Sequence, residues 1–248
     1  MAIAGKWITL WRMDAATLPP PSKLLLAAEL PRALWTLVQS VGALGALGAA
    51  PRGDGRAVMV LPCVAMPDAS AAPLARYLQG LGYAAEGWGL GINRGTRTTG
   101  AEAERLIARI EDYAARHGQP VTLIGISLGG IMARLVAHRR PDLVSAVITI
   151  CSPYAGDAYS TNAWRVYQLL SGERVDSAAV RARLAEVRRP LPVPACAMWS
   201  RSDGMVNGLA CRVPGEPGLT IVEIRGGHLM IHRRAAVWRA VAEQLAGS

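Results

Sequence analysis

Residues Pro120 to Arg140 read PVTLIGISLGGIMARLVAHRR: a β-branched run, then Gly125, Ile126, Ser127, Leu128 and Gly129, then an amphipathic helix. A serine with glycine two places away on each side, at a strand-to-helix junction, is the pattern of a nucleophile elbow. So tight a turn forces a strained backbone at the serine. Side chains at the flanking glycines would collide with neighbouring backbone. The helix that follows presents unpaired amides and its positive dipole end to the serine and to any oxyanion formed there. Those are the requirements of acyl transfer, and the strand before and helix after set this serine apart from chance matches in glycine-rich turns.

A serine nucleophile needs a base, and the chain has four histidines. His117 precedes the turn before the elbow strand, at the wrong end of a parallel sheet. His138 lies three turns along the elbow helix, about 15 Å or more from the serine at helical rise. His228, in RGGHLM, falls between the last strand and the closing helix, on the strand-end side that faces Ser127. His232 follows four residues later, in that helix's first turn. His228 is therefore the expected general base. For the orienting acid, Asp203 in WSRSDGMV follows the penultimate strand. Asp before Gly is also a turn signal, and the two roles are compatible. Asp157 and Asp176 are alternatives with less geometric support. The amide of Leu128 supplies one oxyanion donor. A second is expected from the sharp strand-end turn in VLPCVAMPDAS, at Val64, with Cys63 as the neighbouring choice.

At 248 residues and 51% hydrophobic content the chain can bury a full core within one α/β domain. Its net charge of +9 is almost wholly arginine, dispersed over helices with no aromatic-interleaved basic run, so no nucleic-acid partner is expected. Cys63, Cys151, Cys196 and Cys211 form no CxxC and have no metal-like histidine spacing, so no metal site is expected. Three of them fall in or just after apolar strand-like runs, where a thiol packs as a small hydrophobe. A reduced, cytoplasmic protein follows, with one disulfide pair left open by position. The start, MAIAGKWITLW, lacks the features of a secretory signal.

Residues 1–55 read as an N-terminal helical arm. Within it Ala33 to Ala50 run 18 residues without a charge, the lower limit for a membrane span, but with Gln39, three glycines and no flanking basic cluster. A helix packed on the domain, or one leaning on a membrane interface, fits better and leaves peripheral membrane contact open. From Arg56 short apolar strands alternate with helices: AVMVL, a helix over 68–80, a strand over 83–88, a helix begun by a Thr99–Glu102 capping box and running through Arg116, the elbow, then LVSAVITIC. This predicts a mostly parallel sheet of about six strands with helices on both faces. The alternation stops at about 152–190, which holds two helical pieces, 163–170 and 177–188, the second with Asp176 as a plausible N-cap. Such an insertion sits over the strand ends, where ligands bind. Its Tyr154, Trp164 and Tyr167, with Cys63, are candidates to contact substrate, although Trp and Tyr at helical spacing are more often simply the packed face of a helical lid. Strands at 192–200 and 219–224 and a helix at 231–245 close the domain.

The elbow, the Asp203-then-His228 order and their strand-end placement resemble the α/β-hydrolase superfamily. LPCVAMPDAS, GYAAEGWGLGINRG, TNAWRVYQLLSG and VPACAMWSRSDGMVNGLAC look like bacterial lipase-like and esterase-like members, over most of residues 56–247. The resemblance implies an α/β-hydrolase domain over 56–248, a Ser127, Asp203, His228 triad, hydrolysis of a small-molecule or lipid carboxylic ester, and no cofactor. Where relatives commonly carry His-Gly or Pro-Gly after the first strand, this chain has Pro62 and Cys63. The same residues also suit an acyltransferase or thioesterase, and a hydrolase-fold binding protein with a vestigial triad is the rival from another class. A dehalogenase would need aspartate in place of Ser127.

Overall fold

A computed structural model of the chain describes residues 18–42 and 50–247. Six strands form one wholly parallel sheet: β1 (Ala57–Leu61), β2 (Ala84–Gly87), β3 (Val121–Ile126), β4 (Val144–Ile150), β5 (Ala195–Trp199) and β6 (Leu219–Glu223), in the order β2-β1-β3-β4-β5-β6. Parallel strands covered on both faces read as continuous apolar runs, and β1 and β3 are buried at every position.

Period-two alternation divides those runs between two cores. Val58, Val60, Ile124, Ile126, Ile148 and Ile150 face α3 (Ala72–Leu81) and α9 (Ala235–Ala246), where Leu74, Leu78, Trp238 and Val241 meet them. Ala57, Met59, Leu61, Leu123 and Val147 face α5 (Glu104–His117) and α6 (Leu128–Arg139), through Leu106, Ile110, Met132 and Val136. The chain runs outward from β1 to β2, then returns to the other side of β1 as β3. Loops leaving the carboxyl ends of β1 and β3 therefore diverge, opening a crevice at that switch point.

The insertion after β4 carries α7 (Trp164–Ser171) and α8 (Ala178–Arg188). It is bound to α6 by Arg134. This fully buried guanidinium donates to the carbonyls of Val187 and Arg189, pairs with buried Glu216 at 2.9 Å and stacks on the Tyr154 ring. The arm forms α1 (Lys23–Ala27) and α2 (Glu29–Gly42). Pro31 does not break α2, because it stands in the first turn, where a missing amide hydrogen costs no helical bond. No described helix is long and apolar enough to cross a membrane. The amino-terminal MAIAGKWITLW and residues 43–49 of the charge-free run lie outside the described residues.

Three local expectations are corrected. The Thr99–Glu102 capping box does not form: Gly100, at φ 89°, ends the short helix α4 (Thr96–Thr99), the Thr99 hydroxyl donates back to the Gly95 carbonyl, and α5 starts only at Glu104. Helix α8 is capped by Ser177, whose hydroxyl accepts from the Val180 amide, while Asp176 pairs with Arg174 on the surface. His232 lies in a separate 3-10 turn, Ile231–Arg233, ahead of α9.

Candidate active site

Ser127 joins β3 to α6 at φ 53° and ψ −116°, a left-handed backbone that non-glycine residues avoid. The neighbours show why glycine must flank it. A Cβ on Gly125 would lie 2.3 Å from the Gly130 Cα, and one on Gly129 would lie 2.5 Å from the Leu61 carbonyl oxygen. The Ser127 amide donates to the Ile150 carbonyl at 2.8 Å, fixing the turn to the adjacent strand. Leu128 heads α6, so its amide has no earlier helical carbonyl to serve.

Asp203 and His228 stand on the loops after β5 and β6. Asp203 Oδ2 lies 2.7 Å from His228 Nδ1, and both side chains are nearly buried. Asp203 Oδ1 accepts from the amides of Met205 and Val206 at 2.8 and 2.7 Å, so one carboxylate both closes its own turn and meets the imidazole. Burial opposes a charge on His228, but the charge of Asp203, its hydrogen bond and then the charge of Glu29 outweigh that, and the imidazole pKa is raised. His232 is the reverse case: burial, then Arg233 and His228, hold its pKa down at about 4. His138 is lowered by burial and by Arg134, and His117 packs edge-on against Tyr113. Among the described residues no hydrogen bond joins Ser127 to His228.

The buried Cys151 thiol, just past β4 at φ 49°, shares this corner. Its sulfur, a carboxylate oxygen of Asp203 and a ring nitrogen of His228 lie within 4.8 Å of one another. These are ligand types a soft divalent metal accepts. Their present commitments argue otherwise: Asp203 and His228 are bonded to each other, and burial, with Asp203 beside it, raises the Cys151 pKa well above the ordinary thiol value, keeping it protonated. All four cysteines are free.

Ser127 opens into a cavity of about 130 Å³ between α6 and the insertion. Ile131, Leu135, Val180, Leu184 and Val187 make its walls apolar, and Ser127, Leu128 and Val64 border it together. Of the residues expected to contact substrate, Trp164 and Tyr167 line it. Tyr154 does not: it is fully buried under Arg134. Cys63 does not either, because it packs on the opposite face of the sheet, where burial pushes its thiol up to about 11. Arg183 reaches the cavity with its charge engaged by Glu173, which also accepts from the Tyr167 hydroxyl at 2.5 Å.

Sequence reasoning missed Cys151 and the walls from α6 and α8. It also missed Glu29, a buried carboxylate of the arm that bonds the amides of Gly204, His228 and Leu229. The available signal was a lone acid in the apolar stretch LLLAAEL.

A family profile described as alpha/beta hydrolase fold matches residues 98–207. Among solved structures the chain is similar to one from work on LipS and LipT, two metagenome-derived lipolytic enzymes, with a TM-score of 0.60 at 13% identity over 81% of this chain and 97% of that one. It is also similar to a Paleococcus ferrophilus monoacylglycerol lipase, with a TM-score of 0.56 at 15% identity over 80% and 96%, and to a putative non-heme bromoperoxidase, BpoC, of Mycobacterium tuberculosis, with 0.53 at 14% over 79% and 93%. With its parallel six-stranded sheet, its elbow, this profile match and these structural likenesses, the chain has the α/β-hydrolase fold.

Proposed function

We propose that this protein is a serine hydrolase that cleaves a carboxylic ester bearing an apolar acyl group, through an acyl-serine intermediate. The observation that carries the reading is Ser127, held in a left-handed turn at the head of α6 and opening into an apolar cavity. In this reading Ser127, His228 and Asp203 are the catalytic triad.

His228 Nε2 takes the Ser127 proton as Oγ attacks the acyl carbonyl, while Asp203 holds Nδ1 and favours the imidazolium that forms. The resulting oxyanion accepts from the amides of Leu128 and Val64. His228 then passes its proton to the leaving alcohol oxygen, the tetrahedral centre collapses and the acyl-serine remains. Water, deprotonated by the same imidazole, attacks that ester and releases the carboxylic acid, with Ser127 regaining its proton. The hydrogen bond from Ser127 to His228 forms as substrate binds, since catalytic bonds are commonly long in the free enzyme. The insertion over 152–190 acts as a lid, with Trp164 and Tyr167 on its substrate side.

A fluorophosphonate probe with p-nitrophenyl esters of graded acyl length tests this. Wild type should label and turn over, and Ser127→Ala should do neither. Equal labelling of the two proteins removes the reading. Products formed in competing alcohols separate hydrolysis from acyl transfer.

The arm supports peripheral contact with a lipid surface as part of the same reading. Leu30, Leu34, Trp35 and Val38 of α2 are exposed, as is Leu24 of α1. Exposed apolar side chains on a helix suit the headgroup boundary of a bilayer. Sedimentation with anionic vesicles should carry wild type down and leave Leu30→Ser/Leu34→Ser in solution; equal pelleting would discard the contact.

A further inference from the structure

Glu29 is 1% exposed and begins α2. Its Oε1 accepts from the Gly204 amide at 2.7 Å and from the His228 amide at 2.9 Å; its Oε2 accepts from the Leu229 amide at 2.8 Å. Gly204 follows Asp203. One carboxylate thus bonds the backbone of the acid loop and of the histidine loop at once, through amides and not through the Asp203 or His228 side chains. Ionised carboxylate is the side chain suited to this, because both of its oxygens accept and neither donates. Buried without partners it would be costly; three amides offset that cost.

The surroundings are shaped to this contact. A Cβ on Gly227, just before His228, would lie 2.7 Å from Glu29 Oε2, and a Cβ on Gly204 would lie 2.3 Å from the Leu25 carbonyl oxygen. The guanidinium of Arg32, one turn along α2, donates to the Ser202 carbonyl at 2.8 Å, again on the acid loop. Two glycines therefore admit the arm where Asp203 and His228 leave their strands.

We propose that Glu29 is a positioning residue of the active site: its carboxylate sets the acid loop against the histidine loop, so that Asp203 and His228 meet in the orientation Ser127 requires. The inference rests on the triad reading above, and it makes the N-terminal arm part of the catalytic apparatus. Misplacing a catalytic group by about 1 Å can lower the rate by on the order of 10²-fold.

The test is steady-state kinetics of the full chain, with rates divided by the concentration of sites that a fluorophosphonate titrates, so that misfolded protein does not count. Glu29→Gln keeps one acceptor but sets an NH2 against the Leu229 amide. It should lower kcat by roughly 10- to 100-fold with KM little changed. Gly227→Ala, which pushes the same carboxylate from the other side, should show the same split.

The pH profile is a second readout. The groups facing His228 are Asp203, Glu29, His232 and the Cys151 thiol; His232, at about 4, stays neutral over the acid limb, and Cys151 stays protonated. Removing the Glu29 charge leaves burial less opposed, so the acid limb of kcat/KM should move to lower pH in Glu29→Gln. A Glu29→Gln protein with wild-type kcat per titrated site and an unmoved limb overturns the proposal, as does a loss confined to the number of titratable sites. Ser127→Ala run alongside separates the two claims: if it stays active the triad reading fails, whereas an inactive Ser127→Ala beside a wild-type-like Glu29→Gln sinks the role of Glu29 alone.

Discussion

Ser127 and His228 stand at the same edge of one sheet, yet they are held there by different kinds of contact. The serine is fixed by backbone sterics inside a single strand–turn–helix unit, where Gly125 and Gly129 leave no room for a Cβ. The histidine is fixed by hydrogen bonds from far along the chain. Asp203 is 25 residues away, Ser200 and Ser202 both donate to the Gly226 carbonyl, and Glu29 is 199 residues from the amide it accepts. A site half held by excluded volume should fail abruptly when crowded. A half held by several hydrogen bonds should weaken by degrees.

The largest effects test whether the two halves act as one unit. Ser127→Ala and His228→Ala should each lower ester turnover by about 10⁴-fold or more, with the double variant scarcely worse than either. Multiplying losses in the double variant would mean that the histidine serves some other step. Next in size, Gly129→Ala drives a Cβ to 2.5 Å from the Leu61 carbonyl oxygen, and the strand has no side-chain freedom with which to yield. It should lose more than about 4 kcal/mol of stability in urea titration, enough to leave little folded protein. A folded, cooperative Gly129→Ala would show that the turn tolerates more than its geometry allows.

The same division separates what is legible in the amino-acid sequence from what is not. The elbow was legible because its cause is local: the spacing of Gly125, Ser127 and Gly129 and the apolar run before them state the turn and the strand together. The alternation of short apolar runs and amphipathic helices likewise states a parallel sheet. The pairing of Asp203 with His228 was legible through an Asp-Gly turn at one strand end and the elimination of three other histidines. Glu29 was not, since nothing near LLLAAEL indicates which loops its carboxylate will meet. Tyr154 was misplaced for the same reason. Its ring lies under Arg134, and only the fold brings α6 over it. The Thr99–Glu102 box failed on a local competitor, Gly100, whose left-handed backbone stops the helix first.

Arg134 sharpens the comparison, for it ties the elbow helix to the insertion much as Glu29 ties the arm to the dyad. Removing one partner of a fully buried pair strands the other charge. Arg134→Met should cost about 3–5 kcal/mol in thermal or urea melts, and Arg134→Met/Glu216→Met should recover much of it. If the double variant is as unstable as the single, the bonds to the Val187 and Arg189 carbonyls carry the contact instead of the charge pair.

The electrostatics of the dyad give a smaller effect. As the proposed base, His228 would have to be neutral to take a proton, and Asp203 raises its pKa against burial. The acid limb of kcat/KM should therefore have its midpoint above 6.5, with activity falling about tenfold per pH unit below it. Asp203→Asn should move that midpoint down, because it removes the negative charge that favours the imidazolium. A midpoint below 6.5 in wild type would mean that burial prevails.

The smallest effect separates a purely local contact from both halves of the site. Ser177 caps α8 by accepting from the Val180 amide, whereas Asp176 beside it faces exposed Arg174. Ser177→Ala should cost about 1 kcal/mol, the ordinary worth of an N-cap. Asp176→Ala should cost a few tenths at most, since exposed ion pairs contribute little. The cap lies at the start of the helix whose Val180, Leu184 and Val187 wall the cavity, while the shortest esters need little of that wall. Ser177→Ala should thus leave kcat for an acetate ester unchanged and lower kcat/KM for longer acyl chains by a few-fold, the scale of hydrophobic-pocket discrimination. If acetate turnover falls in step with the longer esters, α8 is coupled to Ser127 itself, and the elbow is not the self-contained unit that its glycines imply.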